Sequence, residues 1–138
     1  MANYIATGRT NYFRVTDDDR CAELISNLGG EYHWDYSEIQ KDGSILHCFA
    51  VEGGLDWYDH SEDDPESDLD YFIDEMQKIL ADDDAIIYTE SGHEKHRYIN
   101  AFSMIITKNS VDWIDLPNDA LTIAQKYLGK DYRTQMTY

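Results

Sequence analysis

The stretch LDYFIDEMQKIL, residues 69–80, decides the fold class of this 138-residue chain. Its apolar residues recur at spacings of three and four, the period of an α-helix that buries one face. Ser67 precedes the stretch as the expected N-cap. The period then changes from helical to alternating, so a helix that packs on a sheet is predicted. The apolar face consists of Leu69, Phe72, Ile73, Met76, Ile79 and Leu80.

Downstream of this helix the pattern predicts strands at 85–90, 97–108 and 111–114 and a last helix from Pro117 to Gly129. Ser91-Gly92 is the expected turn between the first two strands, because Gly and Ser favour turns. Pro at the start and Gly at the end are typical of helix boundaries. We expect Leu121, Ala124 and Leu128 to face inward.

Upstream, short strands are predicted around Gly8, followed by a helix that Thr16 caps and Gly29-Gly30 ends. Aromatic and polar residues then alternate from Tyr32, and Lys41-Asp42-Gly43 predicts a hairpin turn. Strands joined by tight turns favour an antiparallel sheet. The sequence therefore predicts one α+β domain over 1–138, with an antiparallel sheet of about five to six strands and three helices mainly on one face.

The charge of the chain is strongly negative and unevenly distributed. The net charge is −17, and residues 52–84 hold 14 acidic side chains against one basic side chain. Direct binding of nucleic acid or anionic lipid is disfavoured, because phosphate groups need local positive charge. No apolar run approaches about 18 residues, so no membrane span is predicted and a cytoplasmic location is expected. Any macromolecular partner should be a basic protein.

The acidic segment is predicted to be a docking surface on one continuous patch. Carboxylates one helical turn apart repeat at roughly 6 Å, close to the phosphate spacing of a nucleic-acid strand. Trp and Tyr beside them are typical anchors of protein interfaces. The alternative is a solvated helix face whose charge only keeps the protein soluble. The predicted contact residues are Asp56, Trp57, Tyr58, Asp59, Glu62, Asp63, Asp64, Glu66, Asp70 and Asp74.

Metal and redox chemistry have weaker support, and no cofactor, catalytic residue or metal site is predicted. His93 and His96 could ligate zinc with Glu90 or Glu94, but a turn lacks the helical geometry of the His-Glu-x-x-His motif. A weak site for a hard cation in the acidic loop over 56–64 also stays open.

The two cysteines, Cys21 and Cys48, lie in apolar patterns without metal or redox spacing. Buried, reduced thiols are therefore expected.

Three segments carry a resemblance to a known kind of protein: Met1–Val15, Glu90–Tyr98 and Thr134–Tyr138. The chain resembles, over its whole length, small uncharacterised acidic proteins of bacterial phages and mobile elements. That resemblance brings no catalytic motif and implies a counter-defence setting. In size and charge the chain is similar to antirestriction and anti-CRISPR proteins that mimic DNA.

Three functions follow as hypotheses. The first is a non-enzymatic inhibitor whose acidic face occupies the basic nucleic-acid channel of a defence nuclease or CRISPR-Cas effector. The second is an immunity protein that neutralises a basic toxin through the same face. The third is a small metal-dependent enzyme that uses the turn around His93 and His96. The sequence leaves the partner and the oligomeric state open, a homodimer included.

Overall fold

The computed structural model describes residues 4–59 and 68–135 and contains an antiparallel sheet with three helices. The predicted α+β class is confirmed. The elements are β1 (Ile5–Thr10), α1 (Asp18–Ser26), β2 (Tyr32–Asp35), β3 (Glu38–Ile39), β4 (Ile45–Leu46), β5 (Phe49–Glu52), α2 (Leu69–Ile79), β6 (Ile86–Glu94), β7 (Tyr98–Thr107), β8 (Ser110–Asp115) and α3 (Leu116–Leu128).

Six of the strands form one antiparallel sheet in the order β2-β5-β1-β6-β7-β8, and β3 pairs with β4 in a separate two-stranded hairpin. The Lys41-Asp42-Gly43 turn therefore lies in that hairpin, outside the main sheet. Alternation along each strand gives the sheet two faces. One face carries the buried side chains of β1, β5, β6 and β7, and we refer to the other as the open sheet face.

The core lies between the sheet and the helices α1 and α2. Phe72 of α2 is fully buried, and its ring meets that of Phe49 on β5 edge to face, with 5.8 Å between centroids. Edge-to-face contact suits the charge distribution of aromatic rings. The helical stripe predicted over 69–80 is thus confirmed as the face that holds α2 on the sheet.

Both cysteines are buried and unpaired, in agreement with the sequence. Burial, followed by the nearby carboxylate of Asp35, raises the pKa of the Cys21 thiol to about 12. A thiol with such a pKa stays protonated and is a poor nucleophile or metal ligand.

Gly8 lies inside a continuous strand, not between two short ones as predicted. The Tyr88 hydroxyl occupies the space that a Cβ at this position would need. That hydroxyl donates to Glu90 across 2.7 Å, and the Tyr4 hydroxyl donates to the second oxygen of the same carboxylate across 3.2 Å. Glycine is therefore required for the close approach of Tyr88 to a buried carboxylate.

The helix caps differ from the prediction by one residue. The carboxylate of Asp17, not the hydroxyl of Thr16, accepts from the Arg20 N–H at 3.0 Å. Asp68 caps α2 by accepting from the Tyr71 N–H at 3.1 Å, whereas Ser67 lies outside the described residues. Aspartate is as effective a cap as serine or threonine and also complements the helix dipole.

The hairpin between β6 and β7 turns later than predicted. Ser91-Gly92 continues β6, and the turn comes after Glu94, whose carbonyl accepts from the Arg97 N–H at 3.0 Å. A Cβ at position 92 would overlap the ring of Tyr4. The glycine that suggested a turn is therefore needed for packing within the strand.

The helix α3 has the predicted boundaries but a different environment. Gly129 follows the last residue of α3 as the C-cap. None of the side chains of α3 is buried. Leu121 and Ala124 are half-buried, while Leu128, expected inward, is exposed. Only α1 and α2 complete the core. No helix in the described part of the chain is long and apolar enough to cross a membrane.

Candidate partner-binding surface

The solvent side of α1 and α2, with their two capping residues, forms a strongly acidic surface. Residues 17–26 and 68–79 together hold eight acidic and two basic side chains. We call this surface the acidic helical face. Its charge comes from two helices that are distant in sequence and meet in the fold.

Arg20 joins the two helices at the centre of this face. Its guanidinium donates to Glu23 at 2.6 Å, to Glu75 at 3.0 Å and to the Tyr71 hydroxyl at 3.0 Å. Lys78 forms a second ion pair with Glu75. Both basic side chains of the face are therefore engaged with carboxylates of the face itself.

Glu75 is the acidic side chain that these contacts hold most firmly. The Lys78 ammonium, followed by the Arg20 guanidinium and the Tyr71 hydroxyl, lowers the pKa of Glu75, against the opposing effect of burial. The same contact raises the pKa of Lys78. The Glu75 carboxylate stabilises the contact between α1 and α2 and is not available to a partner, because Arg20 and Lys78 already compensate its charge.

Three exposed carboxylates of the face neither cap a helix nor belong to the Arg20 cluster: Asp19 on α1 and Asp70 and Asp74 on α2. None of them has a hydrogen bond or ion pair with another residue that the structure describes. Asp70 and Asp74 lie one helical turn apart, on the side of α2 opposite the buried Phe72 and Met76. Like charges at this spacing destabilise a helix by a few tenths of a kcal/mol.

The predicted aromatic contact at Trp57 is not available on the surface. The side chain is 3% exposed, and its indole N–H donates to the Leu24 carbonyl at 3.0 Å. A large indole with one buried acceptor is better satisfied inside the core than in water. Tyr71, which is not among the ten predicted contact residues although it follows Asp70, packs against the Trp57 ring at 5.0 Å and is partly exposed.

The other predicted contact residues fall into two groups. Tyr58 is 37% exposed, and Asp56 and Asp59 are half-buried, with the Asp56 carboxylate accepting from the Trp57 N–H at 2.8 Å. The remaining predicted residues of the loop lie outside the described residues, namely Glu62, Asp63, Asp64 and Glu66.

The acidic segment 52–84 does not lie on one patch, contrary to the prediction. Glu52 pairs with Thr7 in the register of the sheet and belongs to the open sheet face. At the other end, Arg14 forms ion pairs with Asp83 at 3.0 Å and Asp84 at 3.3 Å. Asp19 joins the face from outside the segment. Only the fold could add α1 to this surface and remove Glu52 from it.

The histidine turn does not assemble the ligand set that a zinc site would need. Glu90 is buried on the core side of β6, whereas His93 is exposed on the open sheet face. Residues three apart in a strand point to opposite faces, so these two side chains cannot share an ion. Among the described residues, no three side chains of His, Cys, Asp or Glu come together as a candidate metal site.

The open sheet face carries far fewer charged side chains than the acidic helical face. The register places only three formally charged side chains on it, Arg9, Glu52 and Asp112. Tyr32 and Trp34 of the edge strand β2 lie on this face, with ring centroids 6.2 Å apart. It is a nearly neutral surface with exposed aromatic residues.

Comparisons with protein-family models, curated proteins and solved structures gave no match for this chain.

Proposed function

We propose that this protein is a non-enzymatic inhibitor whose acidic helical face binds the basic nucleic-acid site of a bacterial defence nuclease or CRISPR-Cas effector. The observation that carries the proposal is the set of exposed carboxylates Asp19, Asp70 and Asp74, none of which forms a hydrogen bond or ion pair with another described residue. A partner that supplies positive charge would relieve the repulsion between Asp70 and Asp74. Binding would then reduce the repulsion between like charges on this protein and also on the positively charged partner.

The arrangement of charge supports a partner that normally holds phosphate groups. Asp70 and Asp74 repeat at roughly 6 Å along the helix, and Asp19 offers a third carboxylate from the neighbouring helix. Because α1 and α2 are fixed on the core, these charges are held in place before binding. A rigid surface loses less conformational entropy on association. Tyr71 and Tyr58 would supply the aromatic contacts at the edge of this surface.

Electrostatic attraction would also determine the kinetics of binding. Opposite charge on two surfaces accelerates association, and added salt weakens that effect. The association rate with the partner should therefore fall as the salt concentration rises. A partner captured through apolar contacts alone would show little such dependence.

The direct test is competition for DNA. Purified restriction nucleases and CRISPR-Cas effectors, each loaded with fluorescent DNA, are titrated with this protein and the displaced DNA is measured by anisotropy. We expect displacement from at least one of them. The double variant Asp70→Asn, Asp74→Asn should weaken displacement about tenfold, equivalent to about 1.4 kcal/mol. Equal displacement by the wild type and this variant would reject the acidic helical face as the binding site.

The matched control is Asp112→Asn with Asp131→Asn. Both side chains are exposed, and neither belongs to α1 or α2. This double variant removes the same total charge, so it separates a local effect from a general loss of negative charge. It should displace DNA as well as the wild type does.

The immunity-protein alternative uses the same surface and is decided by the identity of the partner. Affinity capture with the wild type and with the Asp70→Asn, Asp74→Asn variant, followed by mass spectrometry, provides the comparison. A basic toxin that is lost with the variant would replace the nuclease hypothesis with immunity. A nuclease lost in the same way would support the inhibitor.

A further inference from the structure

The helix α3 is apolar on the side that faces water. Leu116 is 62% exposed, Ile123 57% and Tyr127 84%, and Ala120 between them is also exposed. These four positions follow spacings of four, three and four, so they form one stripe along the helix. We call it the α3 stripe. Exposed apolar stripes of this kind mark interaction surfaces.

The α3 stripe lies on the outer side of its helix. The half-buried residues Leu121 and Gln125 lie on the other side of α3, which contacts β7 and β8, and the half-buried Ala124 lies between that side and the stripe. The chain already uses that inner side for its own packing. Leu116 lines a hollow of the sheet together with Ala101 and Ile114, whereas Ala120, Ile123 and Tyr127 are exposed and available to a partner.

The charges beside the stripe are arranged so that the helix is complementary to itself. Asp119 and Lys126 are seven residues apart and flank Ile123 on the same side of the helix. If two copies of α3 lie antiparallel and cross near Ile123, Asp119 of each copy faces Lys126 of the other. A twofold axis produces both ion pairs at once, because such an interface repeats every contact.

We propose that the protein forms a homodimer through antiparallel contact of the α3 stripes. The local charge permits it: residues 111–135 hold four acidic and three basic side chains, whereas the whole chain has a net charge of −17. Two copies repel each other least when they meet at a nearly neutral surface. A second copy is favoured over a basic partner here for the same reason.

The size of the contact indicates a weak dimer. The helix has 13 residues and is about 20 Å long. The exposed side chain of Ile114 lines a hollow next to Leu116 and enlarges the apolar area. Interfaces at the lower end of the usual size range are typical of weak, transient association.

The first experiment measures the mass of the full-length protein by sedimentation equilibrium over a concentration series. The wild type should dimerise, and Ile123→Glu should raise the dissociation constant at least about tenfold, because each dimer would bury two carboxylates in an apolar contact. Asn118→Glu adds the same charge on another side of α3 and should leave the dimer intact. A wild type that stays monomeric, or an Ile123→Glu variant that dimerises normally, would overturn the proposal.

The second experiment tests the antiparallel arrangement. Asp119→Lys and Lys126→Asp each place like charges opposite one another and should be largely monomeric alone. An equal mixture should form a heterodimer, because every facing pair then has opposite charge. Asp119 also accepts from the Asp115 N–H at 3.1 Å, so circular dichroism must first show that both variants retain their helices. Folded variants that fail to associate when mixed would overturn the antiparallel contact.

Discussion

The acidic helical face and α3 are both amphipathic surfaces, but the fold uses them in opposite ways. On α1 and α2 the apolar side is buried in the core, and the exposed side carries three carboxylates that form no ion pair with another described residue. On α3 no side chain is buried, and the exposed side is apolar and nearly neutral. The two surfaces should therefore differ in their effect on stability and in the partners they accept.

The largest predicted effect compares one apolar residue from each surface. Phe72→Ala should lower the free energy of unfolding by about 3–5 kcal/mol, because it leaves a cavity in the core. Ile123→Ala should change it by less than about 0.5 kcal/mol, since the side chain is largely exposed. Urea denaturation at protein concentrations too low for dimerisation measures both. A cost of several kcal/mol at Ile123 would show that α3 is part of the core.

A second prediction concerns the buried indole beneath Tyr71. Trp57→Phe should lower the free energy of unfolding by about 1–3 kcal/mol, because the Leu24 carbonyl keeps the Asn27 N–H but loses its second donor, and part of the ring volume is removed. Tyr58→Phe, which changes a neighbouring exposed aromatic, is the control and should have a smaller effect. If Trp57→Phe were neutral, the indole would not fix Leu24, and the support of Tyr71 at the surface would be in doubt.

The ion-pair cluster of the acidic helical face should have an intermediate effect. Arg20→Met removes the cation shared by Glu23 and Glu75 while keeping most of the aliphatic stem. We expect a loss of about 1 kcal/mol, because the cluster is partly exposed to water. Arg97→Met, which removes a more exposed cation 3.8 Å from Glu94, should cost less. Equal losses in the free energy of unfolding would indicate that the ion pairs between α1 and α2 stabilise the fold no more than an ordinary surface ion pair.

The smallest predicted effect is on the pH dependence of stability. The lowered pKa of Glu75 means that its ionised form stabilises the folded state. This contribution is fully present above the unfolded pKa of about 4.3 and is lost as pH falls through the folded pKa. Glu75→Gln should therefore lose less stability than the wild type between about pH 5 and pH 3. Identical acid profiles in urea titrations would contradict this assignment.

Sequence periodicity predicted the elements whose packing follows from local pattern. The apolar face of α2, the boundaries of α3 and the antiparallel sheet were all predicted correctly. The predictions were wrong where one residue type can either break a strand or make room for a neighbouring side chain. Glycine at positions 8 and 92 suggested breaks but makes room for tyrosine side chains inside strands. Both contacts come from distant residues, so no local pattern could predict them.

The predicted binding residues show the same division. The sequence located Asp70 and Asp74 on one exposed helical row, because a single helix fixes that relation. It did not include Asp19, and it assigned Trp57 to the surface. Both depend on how α1 meets α2 over the sheet, which is a matter of tertiary packing.

The sequence by itself determined the α+β class, the negative charge and the amphipathic helices, since each depends on composition or on neighbours within a few turns. Only the tertiary structure decided which carboxylates remain without an ion pair to another described residue and which apolar stripe remains exposed. Arg20 reaches Glu75 across 55 positions of the chain. Contacts between such distant residues engage many of the charged and apolar side chains. The few that remain exposed are available to bind a partner.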